Sequence, residues 1–512
     1  MFDFFFDKSI EKRHPTFDSE ATVEANSVTK NDADVTSVDE EVSPMDLRKI
    51  YWKIDFRIIP ALWVLYFLSS YGSAAWGNAQ TMNYEEAHSI PLYLNLKPHE
   101  QSIATTLDYV GYIVFDVPMN LCFTVFTPRA WLSRIIITIG LVYACIAAVK
   151  NAAGIQAIRF FTGLVTAGIW PGMTYYVSAF YPVEMLSQRI GYYYTAAQIS
   201  AAVAGLLGAA FQKMDGIRGY TGYQWNFLIY GVVTIAIGGL LYFWLPNRPK
   251  GQSIWPLTEK DVRIHQREIA GRAQAHQMWT WRDLLRVLFD IRIYPLVIMY
   301  FGVVGTGIGI ENYATTILKS INPDWSGITL SLLTAPIWLF DLGGILLITP
   351  FADRWPQHRG LIFSISTAII IVGLFVTTYA PDGWSRWGGL LICGFGLGPT
   401  VPITMSWGAS IFYRFHGDLG VAMSAAIISG LGNCGSVTTT YALYSGWPED
   451  AATGYRDSNM VMVAILGMSI IAAAINTLLQ YFMGDFGENS LLDVTFLNWL
   501  RGQSAKNHAS HK

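Results

Sequence analysis

From Phe56 onward the chain is a succession of apolar stretches of about 20 residues, each long enough at about 1.5 Å per helical residue to cross a hydrocarbon core of about 30 Å. Twelve recur, at approximately 57–78, 104–126, 131–149, 154–178, 189–211, 225–245, 294–316, 328–350, 361–380, 387–411, 420–444 and 459–483. Inside a bilayer every backbone N–H and C=O must be satisfied within the segment, so stretches of this kind predict helices. The expected fold is an all-α polytopic membrane protein with twelve transmembrane helices. The charge distribution agrees. Of the 71 Lys, Arg, Asp and Glu side chains, 18 lie in residues 1–50 and 14 in residues 246–293, which leaves 39 for the other 414 residues. That is too few to cover a soluble surface, where about 25% of residues are charged. A soluble enzyme and a disordered regulator are excluded.

The expected organisation is a disordered acidic N-terminal tail (1–47), six helices (48–245), a central loop (246–293), six more helices (294–484) and a C-terminal tail (485–512). Placing both termini and the central loop in the cytoplasm gives 19 Lys and Arg on cytoplasmic segments against 7 on external ones, as the positive-inside rule requires. The N-terminus shows no signal-peptide pattern, since the short run from Phe2 to Phe6 is broken by Asp3 and followed by a polar tail. The net charge of −3 gives no reason to expect a nucleic-acid partner. Cys122, Cys145, Cys393 and Cys434 lie in apolar segments without metal-site or redox spacing, and no Gly-x4-Gly-Lys-Ser/Thr loop for ATP is present. No cofactor, metal site or enzymatic constellation is expected. Arg263, Arg267 and Arg272 in the central loop predict an amphipathic helix on the cytoplasmic membrane surface.

Two sets of six spans around a polar connection resemble the plan of the major facilitator superfamily, in which two six-helix halves enclose a central site. The halves echo each other weakly: Gly168-Ile-Trp-Pro171-Gly172 in the fourth span resembles Gly396-Leu-Gly398-Pro399 in the tenth. Thr349-Pro-Phe-Ala-Asp353-Arg354, followed by Arg359, is similar to the superfamily's gating motif, and Asp116-Val-Pro118-Met-Asn120 with Thr127-Pro-Arg129 stands at the matching place in the first half.

Four segments taken in order narrow the resemblance: KIDFRIIPALWVLYFLSS (53–70), YIVFDVPMNLCFTVFTPRAWLSR (112–134), RFFTGLVTAGIWPGMTYYVSAFYP (159–182) and YQWNFLIYGVVTIAIGGLLYFWLPNRP (223–249). They look like the anion:cation symporter branch, and within it the fungal allantoate permease family, over residues 49–485. The resemblance implies proton-coupled import of small organic acids, vitamins or ureides at the plasma membrane, with the endoplasmic reticulum or vacuole as other locations, and a transporter that functions as a monomer. Uncoupled facilitation and a non-transporting nutrient receptor of the same fold are the alternatives.

Charged groups within spans are costly and mark pathways. Asp108, Asp116, Arg159, Glu311 and Asp341 are the five here. No histidine falls within a predicted span, so proton coupling would have to use carboxylates, which burial makes easier to protonate. Arg159 matches the family's fourth-span arginine; it can bind a substrate carboxylate through its guanidinium fork or pair with Asp108 or Asp116. Glu311 is the candidate coupling group, and Asp341 is either a second one or a partner of the gating arginines. Asp116, Arg129, Asp353, Arg354 and Arg359 are expected to gate. Tyr71, Trp76, Asn78, Trp170, Tyr175, Asn312, Tyr313 and Trp407 are candidates to line a cavity for a ring-bearing polar solute, with Asn433 as an interhelical hydrogen-bonding group. Where the family commonly places charges, this chain has Gly72, Ser73 and Thr166, which weakens the expectation of ordinary carboxylate–proton symport.

Overall fold

The computed structural model describes residues 44–178, 180–181, 183–246, 257–270, 285 and 287–483. Most of both expected tails, Trp255, Arg272 and the side chains of Asn120, Tyr175, Asp353 and Arg414 lie outside the described residues. The first half comprises α1 (Pro44–Ala79), α2 (Pro98–Val125), α3 (Pro128–Ile146), α4 (Ala152–Thr166), α5 (Ile169–Ser178), α6 (Val183–Gln212) and α7 (Gly222–Trp244). The connecting segment carries α8 (Glu259–Ala270). The second half comprises α9 (Ile293–Ile321), α10 (Gly327–Arg354), α11 (Arg359–Tyr379), α12 (Gly383–Leu397), α13 (Thr400–Gly432), α14 (Cys434–Ala442) and α15 (Arg456–Met483).

The fold is all-helical, with no strand among the described residues. Nine helical stretches among them are long and apolar enough to cross a membrane, and they account for the first, third, fifth to tenth and twelfth expected spans. The second span is α2. The fourth is divided into α4 and α5 because Ala167 turns extended (ψ 140°) and Gly168 takes φ 81°, a conformation that glycine adopts without a Cβ penalty. The eleventh differs from expectation: α13 runs unbroken from the tenth span into it, and α14 completes it.

Buried apolar side chains form two clusters, one drawn from residues 50–262 and the other from residues 287–473. At four helix starts a side chain satisfies a free backbone N–H: Asn151 accepts from Gly154, Gln224 from Thr221, Ser326 from Thr329 and Asp382 from Ser385. All four sit at the end of the bundle that the charge rule assigns to the outside, called the outer end below.

At the outer end the halves are joined by neutral contacts. The Thr315 hydroxyl donates to the Gly77 carbonyl at 3.1 Å, Thr106 and Thr440 share a hydrogen bond at 3.0 Å, and Gln212 donates to Ser331 at 3.0 Å and to the Gly327 carbonyl at 3.3 Å. Thr334 donates to Asn78 at 3.4 Å. Backbones touch where glycine permits it. A Cβ at Gly77 would collide with the Glu311 carbonyl oxygen, and one at Gly205 would lie 2.7 Å from the Ser331 carbonyl oxygen. Toward the opposite, inner end the first half carries charged contacts, one of them to the connecting segment. Arg189 of α6 grips Asp55 of α1 with two bonds of 3.0 and 2.9 Å, and Lys53 of α1 reaches Asp261 of α8 at 2.7 Å.

Candidate functional site

Arg159 of α4 is fully buried, and its Nη2 lies 2.9 Å from Oδ2 of Asp108 on α2. Of the two partners left open by the sequence, the structure uses Asp108. The guanidinium also lies 4.4 Å from the ring centroid of Trp76, whose indole N–H donates to Thr105 at 3.2 Å. Arg159 is thus neutralised and covered, with Nη1 left without a hydrogen-bond partner among the described residues. Asp108 Oδ1 likewise has no hydrogen-bond partner among the described residues.

Glu311, in the middle of the α9 sequence Gly309-Ile-Glu-Asn-Tyr, is half-buried and within electrostatic reach of both Asp108 and Arg159. The neighbouring Asn312 donates to the Tyr109 hydroxyl of α2 at 2.9 Å, so α9 is fixed across the interface beside the ion pair. The structure therefore brings Arg159, Asp108, Trp76, Glu311, Asn312 and Asn78 together near the outer part of the interface between halves.

The missing charge at position 72 has a steric counterpart. A Cβ at Gly72 would overlap the Tyr143 ring, which is itself buried beside Ser73, Asp108 and Arg159. Tyr143 occupies the space into which a longer side chain would project. Thr166 turns its hydroxyl back to the Thr162 and Gly163 carbonyls at the end of α4, where the span breaks.

A second grouping lies deeper. Trp170 of α5 packs against Tyr66 of α1 (5.5 Å between centroids) and against Tyr193 and Tyr194 of α6 (5.8 and 5.4 Å). Tyr66 and Tyr194, both mid-helix, and Trp170, in the first turn of α5, remain partly exposed, and Tyr66 interacts electrostatically with Tyr300 and Glu311 of the other half. Rings that are partly open yet face the opposite half border a space between the halves. Asp341 of α10 is 2% exposed, beside Gln198 of α6 and within electrostatic reach of Glu311.

The remaining sequence candidates are placed elsewhere. Tyr71 donates to Asn226 of α7 at 2.8 Å and packs on Tyr230, inside the first half. Tyr313 donates to the Thr440 carbonyl at 3.2 Å, Trp407 is 3% exposed beside Gly360 of α11, and Asn433 bonds Ser429 within its own helix. Asp116 lies beside the Gly168 backbone N–H, so its carboxylate sits near the N-terminal end of α5, where the helix dipole favours a negative group. Arg129 lies over the Tyr242 ring at 4.7 Å, Arg354 is exposed in the last turn of α10, and Arg359 donates to Ser410 at 2.6 Å and to the Ser406 carbonyl at 3.2 Å.

Sequence reasoning passed over Gln198, Tyr66, Tyr194 and the Asp55–Arg189 pair. Gln198 carried a signal of its own, as the single amide side chain in the span 189–211.

This architecture is shared with known proteins. A bacterial homolog of the human lysosomal transporter Spinster, in its inward-facing and unoccupied conformation, superposes with a TM-score of 0.63 over 85% of this chain and 97% of that one, at 13% identity. Vitamin H transporter 1 of Schizosaccharomyces pombe is 46% identical over 482 residues, covering 88% of this chain and 84% of that one. An uncharacterized transporter of the same yeast is 43% identical over 463 residues, covering 85% and 73%. The family model described as Major Facilitator Superfamily matches residues 62–434. With two helical halves around a buried charged interface and this match over most of its length, the chain is a multi-pass membrane transporter that belongs to the Major Facilitator Superfamily.

Proposed function

We propose that this transporter imports a small polar organic nutrient by proton symport, with vitamin H as the first candidate substrate and the allantoate permease group as its branch of the superfamily. The setting is the plasma membrane, with both termini in the cytoplasm and a single chain as the working unit. The observation that carries the proposal is an excess of acid at the interface. Asp108, Asp116, Glu311 and Asp341 stand inside the spans against Arg159, whose charge Asp108 already balances. An organic anion entering such a site meets uncompensated negative charge in a low dielectric, a repulsion that protons on the carboxylates remove. Proton and anion therefore favour each other's binding, which is the thermodynamic core of symport. The similarity to a vitamin H transporter supports the choice of first substrate.

The test is uptake of radiolabelled vitamin H into cells lacking their own uptake system, at pH 5 and pH 7.5, with and without a protonophore. Concentrative uptake that is faster at pH 5 and abolished by the protonophore is expected. In Glu311→Gln, uptake should persist only down the vitamin's own gradient. Equilibrating uptake in the wild type, indifferent to protonophore, would instead establish an uncoupled facilitator, the reading favoured by Gly72, Ser73 and Thr166. No uptake of vitamin H rejects the substrate.

A further inference from the structure

The connection from α1 (ending at Ala79) to α2 (starting at Pro98) lies at the outer end and is held by both halves. Its root belongs to the first half. Met82 and Ile90 are wholly buried in that half's apolar cluster. The Asn83 backbone N–H donates to Oε1 of Gln212, the last residue of α6, and the Asn83 amide donates to the Gln212 carbonyl, both at 3.2 Å. His88 Nδ1 lies 2.7 Å from Oδ2 of Asp215, whose Oδ1 accepts from the Gly222 backbone N–H at the start of α7 at 2.9 Å. The tip reaches the other half. Tyr84 packs against the second half's apolar cluster, and its hydroxyl donates to the Trp325 carbonyl at 2.8 Å, with the Pro323 carbonyl at 3.2 Å. Nζ of Lys319, in the last turn of α9, stands 3.5 Å from the Tyr84 ring centroid.

The backbone between root and tip is shaped for this. Asn83 and Ala87 take φ 47° and 60°, the left-handed region that residues carrying a Cβ seldom adopt. Asparagine tolerates that region; alanine has no side-chain hydrogen bond to offset it, so the conformation persists only where the surroundings dictate it. Here the turn closes on itself. The Ala87 N–H donates to the Tyr84 carbonyl at 3.1 Å and the His88 N–H to the Asn83 carbonyl at 3.0 Å. Tyr84 is therefore presented on a closed turn, with Glu85, Glu86 and Ala87 exposed beyond it. Its hydroxyl and ring contacts run to the second half, while the residues on either side of the turn are fastened to the first.

We infer that residues 80–89 form a strap over the outer seal with Tyr84 as its catch, and that release of the catch limits how often the transporter opens outward. With Met82 and Ile90 embedded in the first half, the root moves with that half as the two part. The bond to Trp325 and the contact with Lys319 then exist in the sealed conformation and are broken in the open one, so they stabilise the first against the second. The inference concerns the gate alone and holds whatever the substrate is.

The experiment reads outward opening with a cysteine reporter in the full chain, in intact cells, after the native cysteines are replaced. Ala335 of α10 is 4% exposed and faces α6, since a Cβ at Gly205 would stand 3.4 Å from its backbone nitrogen. Ala335→Cys should react with a membrane-impermeant maleimide only when the outer end opens. Tyr84→Phe, which loses one hydrogen bond and keeps the ring, should raise the labelling rate roughly fivefold. Tyr84→Ala should raise it about 30-fold, and Lys319→Met about threefold. The cation acts through the ring, so Tyr84→Ala with Lys319→Met should label no faster than Tyr84→Ala alone. His88→Leu loosens the root and should also accelerate labelling, with no further effect once Tyr84 is alanine, because a strap works only when both ends hold. A second reporter, Leu132→Cys, lies wholly buried in the first half's own core and should stay unlabelled in every variant. Tyr84→Ala or Tyr84→Phe at the wild-type rate overturns the inference. So does full additivity of Lys319→Met or His88→Leu with Tyr84→Ala. Acceleration accompanied by labelling at Leu132→Cys also overturns it, since that pattern marks unfolding of the half rather than opening of the gate.

Discussion

Gly77→Ala is the sharpest perturbation of the outer seal. At this residue α1 and α9 are in backbone contact, and the added methyl would collide with the Glu311 carbonyl oxygen, a rigid group in the middle of a helix. The Thr315 hydroxyl bonded to the Gly77 carbonyl holds the same crossing from the other side, so relief requires the two helices to separate. Overpacking of this kind costs about 2 kcal/mol. The cost falls on the sealed conformation alone, because in an outward-open arrangement the two backbones are apart. At about 1.4 kcal/mol per tenfold, the ratio of open to sealed molecules should rise about 30-fold. The assay is a single reporter, Ser102→Cys, introduced after the native cysteines are replaced. Ser102 is wholly buried at the outer end, so a membrane-impermeant maleimide labels a cysteine there only in molecules that have opened. The labelling rate should rise by the same factor of about 30. Gly467→Ala is the control, since a Cβ there meets no atom within 4 Å. A folded Gly77→Ala protein that labels at the wild-type rate would refute the assignment of this crossing to the seal.

Asp108→Asn or Arg159→Ala strands the other member of a buried pair and should cost about 3–5 kcal/mol, read as a fall in thermal midpoint in detergent, while the double replacement recovers part of the loss. Gly72→Ala forces a methyl into the Tyr143 ring and should destabilise by about 1–3 kcal/mol; adding Tyr143→Leu, which removes the ring tip, should restore the midpoint, and failure to do so refutes the steric account. Outside the spans, partial burial opposes ionisation of Asp261, yet Lys53 and Thr258 hold its carboxyl below the usual range. A lowered folded value means the contact contributes above the unfolded value of about 3.9 and is lost as the pH falls through the folded one. Docking of α8 on α1, followed by fluorescence transfer between labels on the two, should therefore loosen between pH 4 and lower values, and Asp261→Asn should loosen it already at pH 6; unchanged transfer in that variant would sink the assignment.

The spans and their order were legible because length and hydropathy in lipid leave the backbone few choices. The fourth span was expected as one helix, and its break falls at Gly168 in the Gly168-Ile-Trp-Pro171-Gly172 run; that Asp116 lies beside it was not legible, since the residues are 52 positions apart in sequence. Helix faces were harder. A span apolar on all sides gives no period from which to read orientation, so Tyr71 and Trp407 were expected at the cavity while the structure places them inside their own halves. Arg159 could be named but its partner could not, because Asp108 and Asp116 lie two helical turns apart on one helix and both are candidates by sequence. Gln198 went unnoticed because one amide in an apolar span looks like an interhelical hydrogen bond until its neighbour across the interface is known to be Asp341.

The hydrogen bonds described across the outer seal run between hydroxyls, amides and backbone carbonyls, and one cation, Lys319, rests on the Tyr84 ring at 3.5 Å. Dipoles of this kind neither titrate in the physiological range nor gather counterions. A barrier made from them keeps its height whether the fluid against it is acidic or alkaline, dilute or concentrated. The medium at that end can then vary widely while the decision to open is left to what occupies the interior.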